Sequence, residues 1–305
     1  SVVIAQYYGA QNNKKIHQAV HTSYSLAIVS GILMMLFGLF FSYQCLDAIG
    51  TPHDILNDAT LYMQLYFLCM IPGAIYNIGA GILRAVGDSK RPLYYLIVCS
   101  IVNVVFDYIF VVIFHQGIAG AAIATVIAQF VCAILVTIQL MRTNEVYKLT
   151  LSKMKFHLPV LKKIIMIGAP AGIQSTMYSI SNIVLQSHIN AFGTQTIASW
   201  SVYVKIDALF WMMIAAIGAA ITTFSGQNYG AHLHDRIKKG TRTALAMAFI
   251  MTISISTILC LTGSYITRLF SSDPHIIEEC YSLMLFLMPF YFLYCCVEIF
   301  SGTMR

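Results

Sequence analysis

The sequence predicts an all-α integral membrane protein made of two parallel-repeat helical lobes. Scarce charge, long uncharged windows and an internal echo at a fixed offset all point to it. Hydrophobic residues make up 58% and charged residues 10% of the 305 residues, against about 25% charged in a soluble globular domain. Residues 16–46, 92–106, 108–141 and 164–204 hold no Asp, Glu, Lys or Arg. Such runs exceed or approach the ~20 residues that cross a bilayer as a helix. None alternates apolar with polar, which excludes a barrel and leaves helices to satisfy every backbone group in lipid.

In chain order, the hydrophobic runs between polar breaks predict the end of one helix at about 1–8. Full helices follow near 18–46, 59–84, 92–114, 118–141, 162–190, 195–225, 240–269 and 277–304, which is eight spans and a remnant. Alternate loops then separate by charge. One set holds 16 of the 18 Lys and Arg, from Lys14 and Lys15 through Arg84, the 142–163 stretch and 236–242 to Arg305. The other holds Arg268 alone, beside Asp47, Asp54, Asp58, Asp273, Glu278 and Glu279. The positive-inside rule makes the basic set cytoplasmic, and one missed span would scramble the alternation. The net charge of +6 is therefore a topology signal and a lipid-headgroup contact, with no nucleic-acid partner implied.

The eight cysteines are scattered through apolar segments with no metal spacing, and read as small buried thiols. All nine His fall in predicted loops or at helix ends, so His232 and His234 read as a solvated pair rather than a metal site. The sequence begins inside a hydrophobic stretch without a signal-peptide pattern, and the expectation is a chain cut from a longer one.

The echo is "AQYYGA" at 5–10 against "GQNYGA" at 226–231. At an offset of 221, Gln6 meets Gln227, Tyr8 meets Tyr229, Gly9 meets Gly230 and Ile16 meets Ile237. After a one-residue slip at Pro52 and Pro274, Gly81 meets Gly302 and Arg84 meets Arg305. Pro72 and Pro289 lie four residues out of register, so two kinks need not coincide. Six spans separate equivalent points, so both copies run the same way through the membrane, as in a parallel repeat. The expected organisation is a first lobe at 1–142 and a cytoplasmic linker at 143–163 ("TNEVYKLTLSKMKFHLPVLKK"). A second lobe at 164–305 follows, within a twelve-helix parent lacking its first one to two and last two helices here.

Only Asp107, Lys205, Asp207 and Glu298 bring charge inside the predicted spans. Each costs on the order of 2.5–3.5 kcal/mol at the centre of a bilayer and is a functional candidate, with structural ion pairing as the alternative. Asn103 and Asp107 are four apart on one helix face, and Thr125 returns to a similar depth after the turn "HQGIAG". Amide, hydroxyl and carboxylate oxygens suit sodium, or a carboxylate that takes up a proton. An interhelical hydrogen-bond cluster beside Gly120, Ala121, Ala122 and Ala124 explains the same residues. Glu298 falls where the repeat places Asn77, making the halves chemically different at matched depth. Lys205 and Asp207 point to different faces, and Glu298 is a candidate partner for Lys205. Gln174 adds a polar candidate in "IGAPAGIQ".

These stretches, together with "GAGILRAVGDSKRP", "NVVFDYIFVVIFHQGIAGAAIATVIAQ" and "EIFSGTMR", give a chain that resembles the multidrug and toxic compound extrusion (MATE) family over essentially its whole length. The resemblance implies twelve helices in two lobes and export of cationic or amphiphilic drug-like compounds in exchange for Na+ or H+ by alternating access. It also implies no cofactor beyond the coupling ion and a monomer in a bacterial cytoplasmic membrane. Asn103, Asp107 and Thr125 are similar to the family's first-lobe cation site, whose acidic residue on the first helix has no counterpart here. Glu298 resembles a polar position of the tenth family helix, and no acidic residue lies in 164–191. A lipid-linked oligosaccharide flippase of the same superfamily is the alternative, disfavoured by spans with one Lys and no Arg. An intramembrane enzyme is weaker still, because "AVGD" at 85–88 lies in a basic loop and no HExxH or second apposed carboxylate occurs.

Overall fold

The computed structural model describes residues 1–305, and every regular element is helical. In order they are α1 (Val2–Gly9), α2 (Asn13–Ala48), α3 (His53–Phe67), α4 (Met70–Ala85), α5 (Lys90–Asp107) and α6 (Gly117–Arg142), then α7 (Leu158–Asn190), α8 (Thr194–Gly230), α9 (His234–Thr267), α10 (Pro274–Leu287) and α11 (Tyr291–Met304). A π-helical turn, Tyr108–Ile113, continues α5, and a 3-10 turn, Met288–Phe290, joins α10 to α11. Seven helices or broken helices are long and apolar enough to cross a membrane, counting α3 with α4 and α10 with α11 as single spans. The eighth expected span corresponds to α7, which has the length at 33 residues. Its Gln, Ser, Thr and Asn side chains keep its hydropathy below that of the other seven.

Several helices run past their expected ends. The one expected at 18–46 starts at Asn13, where Asn12 accepts a 3.1 Å hydrogen bond from the Lys15 amide as an N-cap. Hydropathy marks the portion of a helix in lipid, whereas capping and tertiary packing set its ends.

The echo is a helix terminator repeated with its hydrogen bonds intact. After α1, the Gln11 and Asn12 amides bond back to Tyr8 and Tyr7 carbonyls; after α8, the His232 and Leu233 amides bond to Tyr229 and Asn228 carbonyls. Gln11 and His232, 221 residues apart, hold left-handed φ values of 50° and 59°. This is a Schellman arrangement, which frees the chain to reverse into α2 and α9. The offset also governs starts: Asn13 and His234 open α2 and α9, His53 and Pro274 open α3 and α10, and Met70 and Tyr291 open α4 and α11. The breaks between α3 and α4 and between α10 and α11 therefore do coincide, although Pro72 and Pro289 do not.

The molecule divides into two compact units, residues 3–164 and 165–305 with Val2 grouped into the second, and the division falls within α7. In the first, α2 packs on α3 and α4, and α6 packs on α3, α4 and α5. Tyr24 and Thr137 hydroxyls meet at 2.5 Å between α2 and α6. The polar 143–163 segment is anchored rather than loose: Tyr147, Leu149 and Val160 are buried. His21 is the reason, and it corrects the expectation that every His lies in a loop or at a helix end. It sits in the third turn of α2, fully buried, with Nδ1 donating to the His17 carbonyl at 2.7 Å and Nε2 accepting the Thr150 amide at 3.1 Å. Thr22 continues the clasp, accepting from the His157 amide at 3.2 Å. In the second unit, α8 packs on α9, α10 and α11 around Tyr203, Ile206, Phe210 and Ile214.

Candidate functional site

The two units hold separate polar clusters. In the first, Asn103 and Asp107 lie on the last two turns of α5, and Thr125 lies on α6, which packs on α5. Asn103 Nδ2 donates to Thr125 Oγ1 at 3.5 Å, the far limit of a hydrogen bond, and Thr125 Oγ1 also donates to the Ala121 carbonyl at 3.0 Å. Asp107 Oδ1 is buried with no hydrogen-bond partner. A buried carboxylate oxygen without a donor is costly, and such groups call for a ligand or a proton as explanation. Asp107 is also where α5 gives way to the π-helical turn, a widening common at functional positions. Gly120 makes this geometry possible, because a Cβ there would stand 2.9 Å from Phe110 Cβ and drive α6 off the π turn.

In the second unit Asp207 is 9% exposed on α8. It accepts from Trp211 Nε1 at 2.6 Å, one turn along, and from Tyr291 Oη at 2.5 Å, from the first residue of α11. Tyr203, one turn the other way, hydrogen-bonds Tyr291 in turn. Tyr203, Asp207 and Trp211 thus form an i, i+4, i+8 stripe closed by an aromatic hydroxyl from a second helix. The two tyrosines were not among the sequence candidates. The signal was present in the four-residue spacing of Tyr203, Asp207 and Trp211, but Tyr291 is 84 residues away and only packing places it.

Glu298 on α11 lies against α8 over Gly218, where no Cβ fits, and accepts from Tyr294 Oη at 3.3 Å. Lys205 is exposed and no ion pair joins it to Glu298; the salt bridges are Asp88 with Arg91 and Asp235 with Lys238. The reason is the helix face: Lys205 points away from the α8 face that receives α11. Asn77 is exposed on α4. Gln174 on α7 accepts from Arg305 Nη2 at 2.8 Å, beside a cavity of about 520 Å³ that Pro170, Cys296 and Phe300 also line. His232 and His234 are exposed, their rings 6.5 Å apart, and no three His, Cys, Asp or Glu side chains converge as a metal site.

The sequence pattern of the MatE family matches residues 1–109 and 170–305. YoeA of Bacillus subtilis, named a probable multidrug resistance protein, is 25% identical over 312 residues, covering 100% of this chain and 67% of its own. NorM of Thermotoga maritima, also named a probable multidrug resistance protein, is 23% identical over 91% of this chain and 61% of its own length. Among solved structures, a multidrug resistance MATE family transporter of the MOP superfamily in its outward-facing conformation aligns with a TM-score of 0.91 at 22% identity. That alignment covers 99% of this chain and 69% of the other. A MOP superfamily transporter from Pyrococcus furiosus aligns with the same score at 23% identity, over 99% and 69%. The fold is shared, and the chain spans 61 to 69% of the length of these relatives.

Proposed function

The chain belongs to the MatE family, and on that premise we propose that it forms the core of a secondary multidrug exporter. The exporter expels cationic or amphiphilic compounds from the cell in exchange for inward Na+ or H+. Relatives named as multidrug resistance proteins support the class of cargo. The observation that carries the coupling is the buried Asp107 Oδ1 without a donor, beside Asn103 and Thr125. A sodium ion supplies the missing positive partner there, or a proton converts the acceptor into a donor. Asn103 and Thr125 hold the remaining oxygen ligands, and Gly120 keeps the π turn in place.

Residues 1–142 and 164–305 act as the two lobes, joined by 143–163 on the cytoplasmic side of a bacterial membrane, and the protein works as a monomer. Ion binding at Asp107 stabilises one lobe arrangement over the other, and drug binding the opposite one. The gradient drives export only to the extent that the two ligands differ in affinity for the two states. Asp207 and Glu298 provide acidic positions toward which a cationic compound is drawn, and Lys205, Asn77 and Gln174 are further polar positions along the path. Transport needs no catalytic step.

The test is efflux of a fluorescent organic cation from vesicles containing the full-length protein, first under a sodium gradient and then under a proton gradient. One gradient drives efflux, and Asp107→Asn abolishes it while leaving the protein in the membrane. Efflux unaffected by Asp107→Asn removes the coupling role, and no efflux under either gradient removes the antiporter reading.

A further inference from the structure

A second cavity, of about 660 Å³, lies between α8 and α9 in the second unit, away from the Asp207 cluster. Its walls are apolar: Ile217, Ala220 and Phe224 from α8 face Ala244 and Met247 from α9. The Phe224 ring lies over Gly240, where a Cβ has no room, and this closes the floor of the groove. At one end the chemistry changes abruptly. Arg236, Lys239 and Thr243 line the groove at spacings of three and four, so they share one face of α9. No carboxylate lines it. The nearby Asp235 sits 3.8 Å from Lys238, which points elsewhere, so Arg236 and Lys239 have no ion-pair partner.

We propose that this groove binds one anionic glycerophospholipid, with its phosphate on Arg236 and Lys239 and an acyl chain lying along Ile217, Ala220 and Phe224. A guanidinium beside an ammonium supplies planar and point-charge donors to a single phosphate. The first turn of α9 adds the positive end of its dipole. From residue 236 to 247 the helix rises about 16 Å, on the order of an extended acyl chain. The cations sit at the basic face of the membrane, at headgroup level, where anionic lipids attract such clusters.

The test is native mass spectrometry of the full chain in detergent. The probes are phosphatidylglycerol, phosphatidylcholine with the same acyl chains, and inorganic phosphate. Phosphatidylglycerol is retained about tenfold or more over phosphatidylcholine, as two cations near a headgroup require. Arg236→Ala with Lys239→Ala brings the two lipids level, whereas Lys238→Ala leaves the preference intact. Ala220→Phe keeps both cations but fills the groove, and it lowers retention of phosphatidylglycerol as well, which covers a double variant that fails to fold. Equal retention of the two lipids, or no loss with Ala220→Phe, overturns the proposal. Displacement of the lipid by inorganic phosphate alone makes it a simple anion pocket and also overturns it.

Discussion

Replacing Asp207 tests how far the second polar cluster stabilises its unit. Asp207→Ala strips the acceptor from Trp211 Nε1 at 2.6 Å and Tyr291 Oη at 2.5 Å. Hydrogen bonds to a charged group contribute about 1.5–3 kcal/mol each, so the pair sets an upper bound of roughly 6 kcal/mol. The loss is smaller than that, because Tyr291 keeps its bond to Tyr203 and Trp211 is 40% exposed. Removing the carboxyl also relieves the cost of burying a charge. The expected net destabilisation is about 2–4 kcal/mol for Asp207→Ala and about half of that for Asp207→Asn, which keeps the volume and one carbonyl acceptor. The sequence has two Trp, so a Trp200→Phe background leaves Trp211 as the single indole reporter. Denaturant unfolding in detergent followed by Trp211 emission gives both values, and Asp207→Ala with Tyr291→Phe gives their coupling. An Ala variant as stable as the parent, or no coupling between the two sites, refutes the cluster as a structural element.

Three further outcomes follow from the packing. Gly218→Ala drives a methyl into Glu298, whose Cγ would lie 2.9 Å away, and is expected to cost about 1–3 kcal/mol as overpacking. Glu298→Ala restores most of it in a double-mutant cycle, and no restoration removes the contact as the cause. His21→Ala releases Thr150 and exposes 143–163 to limited proteolysis, whereas a wild-type cleavage rate shows that the clasp does not hold the segment. His232→Gly is tolerated at φ 59° while His232→Val costs about 1–2 kcal/mol, measured by thermal unfolding. Equal effects would mean that the turn relaxes out of the left-handed region.

The repeat was legible because it is written in backbone requirements. Gly9 and Gly230 close a helix in the same way, and the left-handed Gln11 and His232 follow at the same offset, although neither residue type announces itself. The candidate first-lobe site was partly legible: Asn103 and Asp107 share a helix face by spacing alone. The π turn that begins at Tyr108 was not, since Tyr-Ile-Phe-Val-Val-Ile continues an ordinary apolar helix by every local measure. Packing against Gly120 is what favours it. Contacts across long sequence distances, such as His21 with Thr150 or Asp207 with Tyr291, depend on which turn of one helix meets which turn of another. Composition carries no record of that register.

The two broken spans show how one backbone plan acquires different chemistry. Proline lacks the N–H that would return to the carbonyl four residues earlier. Pro72, at the third position of α4, has Leu68 four residues before it, at the break itself, whereas Pro289 sits inside the 3-10 turn. Two unlike placements of proline thus produce breaks from which α4 and α11 restart in register, at Met70 and Tyr291. The fold fixes the break, and proline only makes it inexpensive. In the second unit Ser256 of α9 donates to the Met288 carbonyl at 3.1 Å, which also accepts the Tyr291 amide within the 3-10 turn. The restart then aims residue 291 at α8. A tyrosine there reaches Asp207, while the equivalent Met70 has no polar atom to offer a carboxylate. The same break therefore sets a tyrosine against Asp207 in the second half, at the position where the first half carries Met70.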